Sequence, residues 1–246
     1  MAGDGDRLAR TLAGLEDPAL RVRRASELLA SVPSNFAVRI VADLVRGAAQ
    51  GVAAHEAALE AVLRALHDHK DDPLLADLRL AAHEAEEHTL EGVLSKRAPA
   101  RVLDKGEPGY VDREMNARTL GHRKSLARSS DRDFLSRLAH DQDPLVIRNL
   151  LENPKLTERE VLIAASRRPT LAAVLEELFR SRRWNTNRRV RKALALNPYS
   201  PPALASAVIS TLTAPDLREV ARDPHVRAEV REHAERLISL RAGRVR

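Results

Sequence analysis

Apolar residues recur along this chain with the spacing of helices. After Asp17-Pro18 they fall at Leu20, Val22, Ala25, Leu28 and Leu29. After Asp143-Pro144 they fall at Val146, Ile147, Leu150 and Leu151, and after Asp223-Pro224 at Val226, Val230, Ala234 and Leu237. The period is 3.6 rather than 2, and no alternating strand segment occurs. These Asp-Pro pairs, with a fourth at Asp72-Pro73, read as helix starts. Asp accepts from the orphan N–H groups of a first turn, and Pro at the first helical position lacks an N–H that would have no partner anyway. Asn153-Pro154 and Asn197-Pro198 read as stops, because the residue before Pro avoids the α region. New starts follow at Thr157 with Glu160, a capping box, and at Ser200 with Pro201. In the N-terminal part the pattern predicts helices over 5–15, 18–31, 35–49, 52–69 and 73–94.

The unit of helix, Asn-Pro turn and helix recurs. DPLVIRNLLENPKLTEREVLIAA (143–165) aligns with NRRVRKALALNPYSPPALASAVI (187–209), 44 residues later, and LREVARDPHVRAEVREHAERLI (217–238) reads as a terminal variant without the Asn-Pro turn. A period in this range predicts a stacked array in which each hairpin buries its apolar face on its neighbour. The segment SKRAPARVLDKGEPGYVDREMN (95–116) holds Pro99, Gly106, Pro108 and Gly109 and has no helical period. It reads as a linker or irregular crossing. Helices resume at TLGHRKSLARSS, and Ser130 and Asp133 mark the next start. The expected organisation is therefore a helical region 1–94, an irregular linker 95–118 and helical repeats 119–246.

The Val-Arg, Arg-Asn and Asn-Pro spacing of 143–165 and 187–209 resembles the leucine-rich-repeat-variant family, whose short helices are punctuated by acidic-Pro, Val-Arg and Asn-Pro signals. The first unit, LEDPALRVRRASELLA (15–30), is more similar to a HEAT repeat. The resemblance covers roughly 119–246 and part of 15–31. It implies an all-α fold, an α-solenoid of stacked helical hairpins, and a role as an interaction scaffold. Some members of the family carry a Cys-rich iron–sulfur module, which a chain without Cys does not share.

Composition narrows the picture. Of 246 residues, 43% are hydrophobic and only 2% aromatic, and Ala, Leu and Val supply most of the apolar surface. Such residues favour closely packed helices over strands. With no Cys there are no disulfides, thiolate metal sites or Cys nucleophile. The polar N-terminus is unlike a signal peptide, and no apolar run approaches the ~18 residues of a membrane span. A soluble cytoplasmic protein without membrane association is the expectation. The formal charge of +6 is uneven: residues 1–98 hold 12 Lys/Arg against 16 Asp/Glu, and residues 99–246 hold 29 against 19.

The densest basic feature is RSRRWNTNRRVRK (180–192), with seven Lys/Arg in thirteen residues and the only Trp. On a helix starting near Asn187, Val190, Ala193 and Leu194 face the core, which directs Arg188, Arg191 and Lys192 outward by i, i+3 and i, i+4 spacing. With Arg182, Arg183, Trp184 and Arg189 these residues form the candidate binding surface. Such a surface could grip an acidic protein partner or the phosphates of nucleic acid. Equally, the run could be a solvated face with Trp184 plugging the core.

His55, His67, His69, His83 and His88 read as surface histidines. In HEAEEH (83–88) the two His lie five apart, about 140° around a helix, and so miss the zinc-peptidase spacing. The dyads His55-Glu56 and His83-Glu84 resemble those of HEAT-type di-iron hydroxylases, which use more of them. No Gly-rich phosphate loop and no Gly-x-Ser-x-Gly elbow occurs. No catalytic residue, metal or cofactor is therefore expected. The reading is a non-enzymatic scaffold for an acidic protein, with a nucleic-acid binder as the alternative and a HEAT-like DNA glycosylase as a distant third.

Overall fold

The computed structural model describes residues 4–69, 72, 75–103 and 112–243. Among them the protein is all-α: helices take up 69% of the described residues and no strand occurs. That is about twice the ~30–35% of an ordinary globular protein. Contacts divide the chain into two compact units, residues 1–97 with 202–246, and residues 98–201.

The first unit is built from α1 (Asp4–Ala13), α2 (Pro18–Ser31), α3 (Ser34–Ala49), α4 (Ala53–Asp68), α5 (Ala76–Glu84), α6 (His88–Val93), α14 (Pro202–Ile209), α15 (Ala214–Arg222) and α16 (Ala228–Arg241). Asp17 caps α2 as its sequence predicts, its carboxylate accepting from the N–H of Ala19 at 2.8 Å. The helix expected over 73–94 is instead two. Glu86 adopts a left-handed backbone (φ 52°), and the Glu87 carboxylate caps α6 by accepting from the N–H of Leu90 at 2.7 Å. Asp72 does not cap α5, which starts at Ala76, and Pro73 lies outside the described residues.

Every residue of α14 is buried. A helix apolar on all sides has to be surrounded, and α4, α6 and α16 pack around it. This corrects the expected grouping of 119–246, because the chain from Pro202 onward packs within the first unit. The close approach of α6 to α14 depends on Gly92: a Cβ there would lie 2.5 Å from the Ser206 hydroxyl oxygen.

Asp223-Pro224 ends a helix rather than starting one. Asp223 is the C-cap of α15, its carboxylate accepts from the N–H of His225 at 2.8 Å, and α16 begins only at Ala228. His55 and His67 are buried, not on the surface. His55 Nε2 lies 2.9 Å from the Asp6 carboxylate.

The second unit comprises α7 (Arg113–Ala117), α8 (Leu120–Leu126), α9 (Arg132–Leu138), α10 (Pro144–Glu152), α11 (Glu158–Ser166), α12 (Ala172–Arg180) and α13 (Arg188–Leu196). α7 falls within the expected linker, because Asp112 caps it through the N–H of Met115 at 3.0 Å. Gly106, Pro108 and Gly109 lie outside the described residues. Asp131, not Ser130, caps α9.

α10 and α13 have equal lengths and begin 44 residues apart. Their caps match. The side chains of Asp143 and Asn187 each accept from the N–H groups two and three residues on. At the other end the Asn153 amide donates to the carbonyls of Ala127 (2.8 Å) and Ser129 (2.7 Å), and its oxygen accepts from the N–H of Lys155 at 2.9 Å. Asn197 does the same with Ala165 (2.9 Å), Arg167 (3.0 Å) and Tyr199 (3.0 Å). Each Asn-Pro turn thus holds the end of an earlier helix, which gives these Asn residues a structural task. Ser200 does not cap α14; its hydroxyl donates back to the carbonyl of Leu194 at 2.6 Å.

Candidate functional site

The basic run 180–192 leaves α12, passes through a turn and enters α13. Trp184 is only 7% exposed, and its indole N–H donates to the carbonyl of Leu151 at 3.3 Å. Arg183 lies over the indole ring at 4.6 Å and donates to the carbonyls of Asn153 (3.0 Å) and Leu156 (3.2 Å). Arg183 and Trp184 therefore close the Asn153-Pro154 turn, in keeping with the affinity of guanidinium groups for aromatic faces and for carbonyls at helix ends.

Val190 and Leu194 are fully buried and set the phase of α13. That phase leaves Arg188 and Arg189 exposed and half-buries Arg191 and Lys192. The Nε of Arg191 donates to the carbonyl of Asn185. The expected outward set of Arg188, Arg191 and Lys192 is thus corrected: nine residues of helix turn Arg191 back over the preceding turn. Of the seven candidates, Arg182, Arg183, Arg188 and Arg189 are exposed, Arg191 and Lys192 are half-buried and Trp184 is buried; Arg183, Trp184 and Arg191 bond backbone carbonyls of the fold.

The exposed end of this cluster meets a second element. α11 packs against α13, and Arg189 Nη1 pairs with Glu158 Oε1 at 3.2 Å. Together with Arg159, Leu162, Ile163 and Ser166 this pair lines a shallow groove of about 600 Å³. The groove follows from the phase of α11. Thr157 and Glu160 form the capping box, which places Val161, Ala164 and Ala165 in the core. Leu162 and Ile163 are apolar positions beyond that stripe and stay half-buried. An apolar floor edged by two guanidinium groups and one carboxylate results. It lies in the basic part of the molecule: residues 98–201 hold 21 Lys/Arg against 13 Asp/Glu, and residues 167–192 hold nine against two.

A reading of contiguous charge misses Arg159, Leu162 and Ile163, because the groove joins residues about thirty positions apart. The available signal was local, namely two large apolar residues left over after the capping box had fixed the helix phase. Such a site can hold an apolar side chain while pairing carboxylates at its rim.

Compared with protein-family models, curated proteins and solved structures, the chain has no match. The class that the fold defines is an all-helical protein. Among the described residues no group of three or more His, Asp or Glu is placed to hold a metal ion, and no helix is long and apolar enough to cross a membrane.

Proposed function

We propose that the chain is a non-catalytic helical-repeat scaffold of the α-solenoid kind, and that the groove between α11 and α13 docks an acidic amphipathic helix of a partner protein. The observation that carries this reading is the apolar pair Leu162 and Ile163 flanked by Arg159 and Arg189. The matching caps of α10 and α13 support the repeat part of the proposal. A polyanion such as nucleic acid has no use for an apolar floor, whereas an amphipathic helix offers apolar and acidic groups one turn apart.

The test is fluorescence anisotropy with two labelled probes, an acidic amphipathic helical peptide and a short DNA duplex. The peptide should bind, and the charge reversals Arg159→Glu, Arg188→Glu and Arg189→Glu together should weaken it by ~tenfold or more at low salt. Glu158→Gln should strengthen it a few-fold, because Arg189 no longer has an internal carboxylate. Wild-type peptide affinity in the triple variant at low ionic strength sinks the proposal. Duplex binding with a steep salt dependence and no peptide binding would replace it with the nucleic-acid reading.

A further inference from the structure

We propose, resting on the docking reading of the groove between α11 and α13, that its occupant is α5 of a second copy of this chain, whose outer face carries Leu80 between Asp77 and Glu84. The protein then associates with itself, and salt weakens the association.

The phase of α5 is set by Leu78 and Ala82, buried four residues apart. Leu80 is two residues from each, about 200° around the helix, and stands 59% exposed. No other large apolar side chain on a described helix is so exposed. Single leucines on a surface are ordinary, and it is the neighbours that set this one apart. Asp77 and Glu84 are exposed one turn to either side of it, on the same face. Among the described residues no ion pair holds either carboxylate. The basic side chains of α5 are engaged elsewhere: Arg79 Nε donates to the carbonyl of Leu94 at 3.1 Å, and His83 Nδ1 lies 2.8 Å from Glu91 Oε1. α5 thus presents a ridge of acid, leucine and acid.

The groove is its complement. Leu162 and Ile163 form an apolar floor between Arg159 and Arg189. Glu158 offsets the charge of Arg189, and among the described residues no ion pair holds Arg159. The wider charge agrees: residues 71–91 hold seven Asp/Glu against one Arg, and residues 167–192 hold nine Lys/Arg against two Glu. Opposite fields steer an encounter and fix its register. The other exposed leucines of the helices do not fit. Leu20 is followed one turn on by Arg23 and Arg24, Leu120 by Arg123 and Lys124, and Leu145 by Arg148. Docking any of them would bring like charges together. Ridge and groove are different patches, so the contact is heterologous and either closes into a ring or continues as a chain. A nine-residue helix covers less than the ~1,600 Å² of a standard interface, so Kd should be on the order of 10–300 µM.

The experiment is sedimentation velocity of the full chain from ~10 µM to ~0.5 mM, at low and at high salt. The expected result is a mass that rises with concentration at low salt and returns to that of one chain at high salt. Two variants sharpen it. Asp77→Asn with Leu80→Ala and Glu84→Gln removes the ridge and keeps the groove; Arg159→Glu with Arg189→Glu does the reverse. All five positions are exposed, so both variants should fold. Each alone should associate ~tenfold or more weakly than the wild type. Their equimolar mixture should pair one to one and go no further, because one ridge and one groove remain. If one variant does not fold, the other still carries the comparison with the wild type. A chain that stays monomeric at ~0.5 mM and low salt, while the acidic peptide still binds the groove, overturns the proposal and leaves the docking reading standing. Undiminished association in either folded variant, or a mixture that fails to pair, overturns it as well.

Discussion

In residues 98–201 the carbonyls at helix ends are met by side chains. Asn153 and Asn197 each take two, Arg183 takes two, Arg168 takes that of Leu196 at 2.7 Å, and Arg132 takes that of Lys155 at 2.8 Å. In residues 1–97 with 202–246 guanidinium groups make similar closures, Arg79 on the carbonyl of Leu94 at 3.1 Å and Arg241 on those of Leu212 and Ser210, but no Asn-Pro amide does, and burial is more extensive. α14 is enclosed on every side, and Gly92 lets α6 come down onto Ser206. The polar groups caught inside that unit include Thr89 and His233, whose hydroxyl and Nε2 are 3.2 Å apart. The two units thus differ in the Asn-Pro amide closure, which belongs to residues 98–201, while both use guanidinium groups on helix-end carbonyls. Short nine-residue helices have many ends per residue and need polar closures. Longer helices such as α3 and α4, sixteen residues each, have fewer ends and larger apolar faces.

The largest effect should come from removing a closure. Asn153→Ala leaves the carbonyls of Ala127 and Ser129 buried without the amide, at a cost of about 2–4 kcal/mol, and Asn197→Ala should cost a similar amount. Asn153→Asp should be no better, since a carboxylate accepts but cannot donate. Urea unfolding measures the loss, and hydrogen exchange should place it in residues 98–201. A cost under about 0.5 kcal/mol in both Ala variants would show that the turns are held by packing alone.

The second prediction uses pH. Burial, with the charge of Glu91 adding to it, pushes Glu87 up to about 7 from its ordinary 4.5, against the N–H of Leu90. Between pH 4.5 and 7 the folded state therefore keeps a proton that the unfolded chain has released, and stability falls as pH rises. His233 works in the opposite sense. Burial, helped by the charges of His88 and Arg236, lowers it to about 3 from 6.5, so stability falls as pH drops from 6.5 to 3. Between pH 4.5 and 6.5 the two offset each other, and above pH 6.5 Glu87 acts alone. Glu87→Gln keeps an acceptor for Leu90 and removes the charge. It should stabilise the protein by about 2 kcal/mol at pH 8 and change little at pH 4.5. Equal effects at both pH values would sink the assignment. Residues 98–201 offer the contrast: the Arg137 guanidinium, with the N–H of Met115, holds Asp112 at about 2, so its contribution is present above pH 3.8 and lost on acidification toward 2.

Much of the fold was legible because its punctuation is chemical. Asp17-Pro18 starts α2, which spans the predicted residues 18–31, and Asp143-Pro144 with Asn153-Pro154 bracket α10. The break between α5 and α6 was not, because HEAEEH contains only residues compatible with helix. The stop there is a left-handed Glu86 and a Glu87 cap, neither of them a strong signal. The basic run was legible as charge but not as site. Its Arg residues divide between solvent and backbone carbonyls according to contacts with segments about thirty positions away.

Asp223 yields the smallest effect and the finest test of the comparison. It stands at the end of α15 as Asn153 and Asn197 stand at the ends of α10 and α13, followed by Pro and accepting from the N–H two residues on. The ambiguity of Asp-Pro explains why the pair reads as a helix start: the same carboxylate can accept from a first turn or from the turn beyond a last one. Asn153 and Asn197 must donate as well as accept, because two carbonyls of an earlier helix face each of them. Asp223 ends a helix in the unit that lacks the Asn-Pro amide, and it uses its carboxylate only as an acceptor, from the N–H and the Nδ1 of His225. Asp223→Asn should therefore change stability by less than about 0.5 kcal/mol, as an exchange of one acceptor for another at a half-exposed turn does. A gain of about 1 kcal/mol or more in urea unfolding would mean that an amide finds carbonyls at α15 too, and that the two units close their helices by one rule.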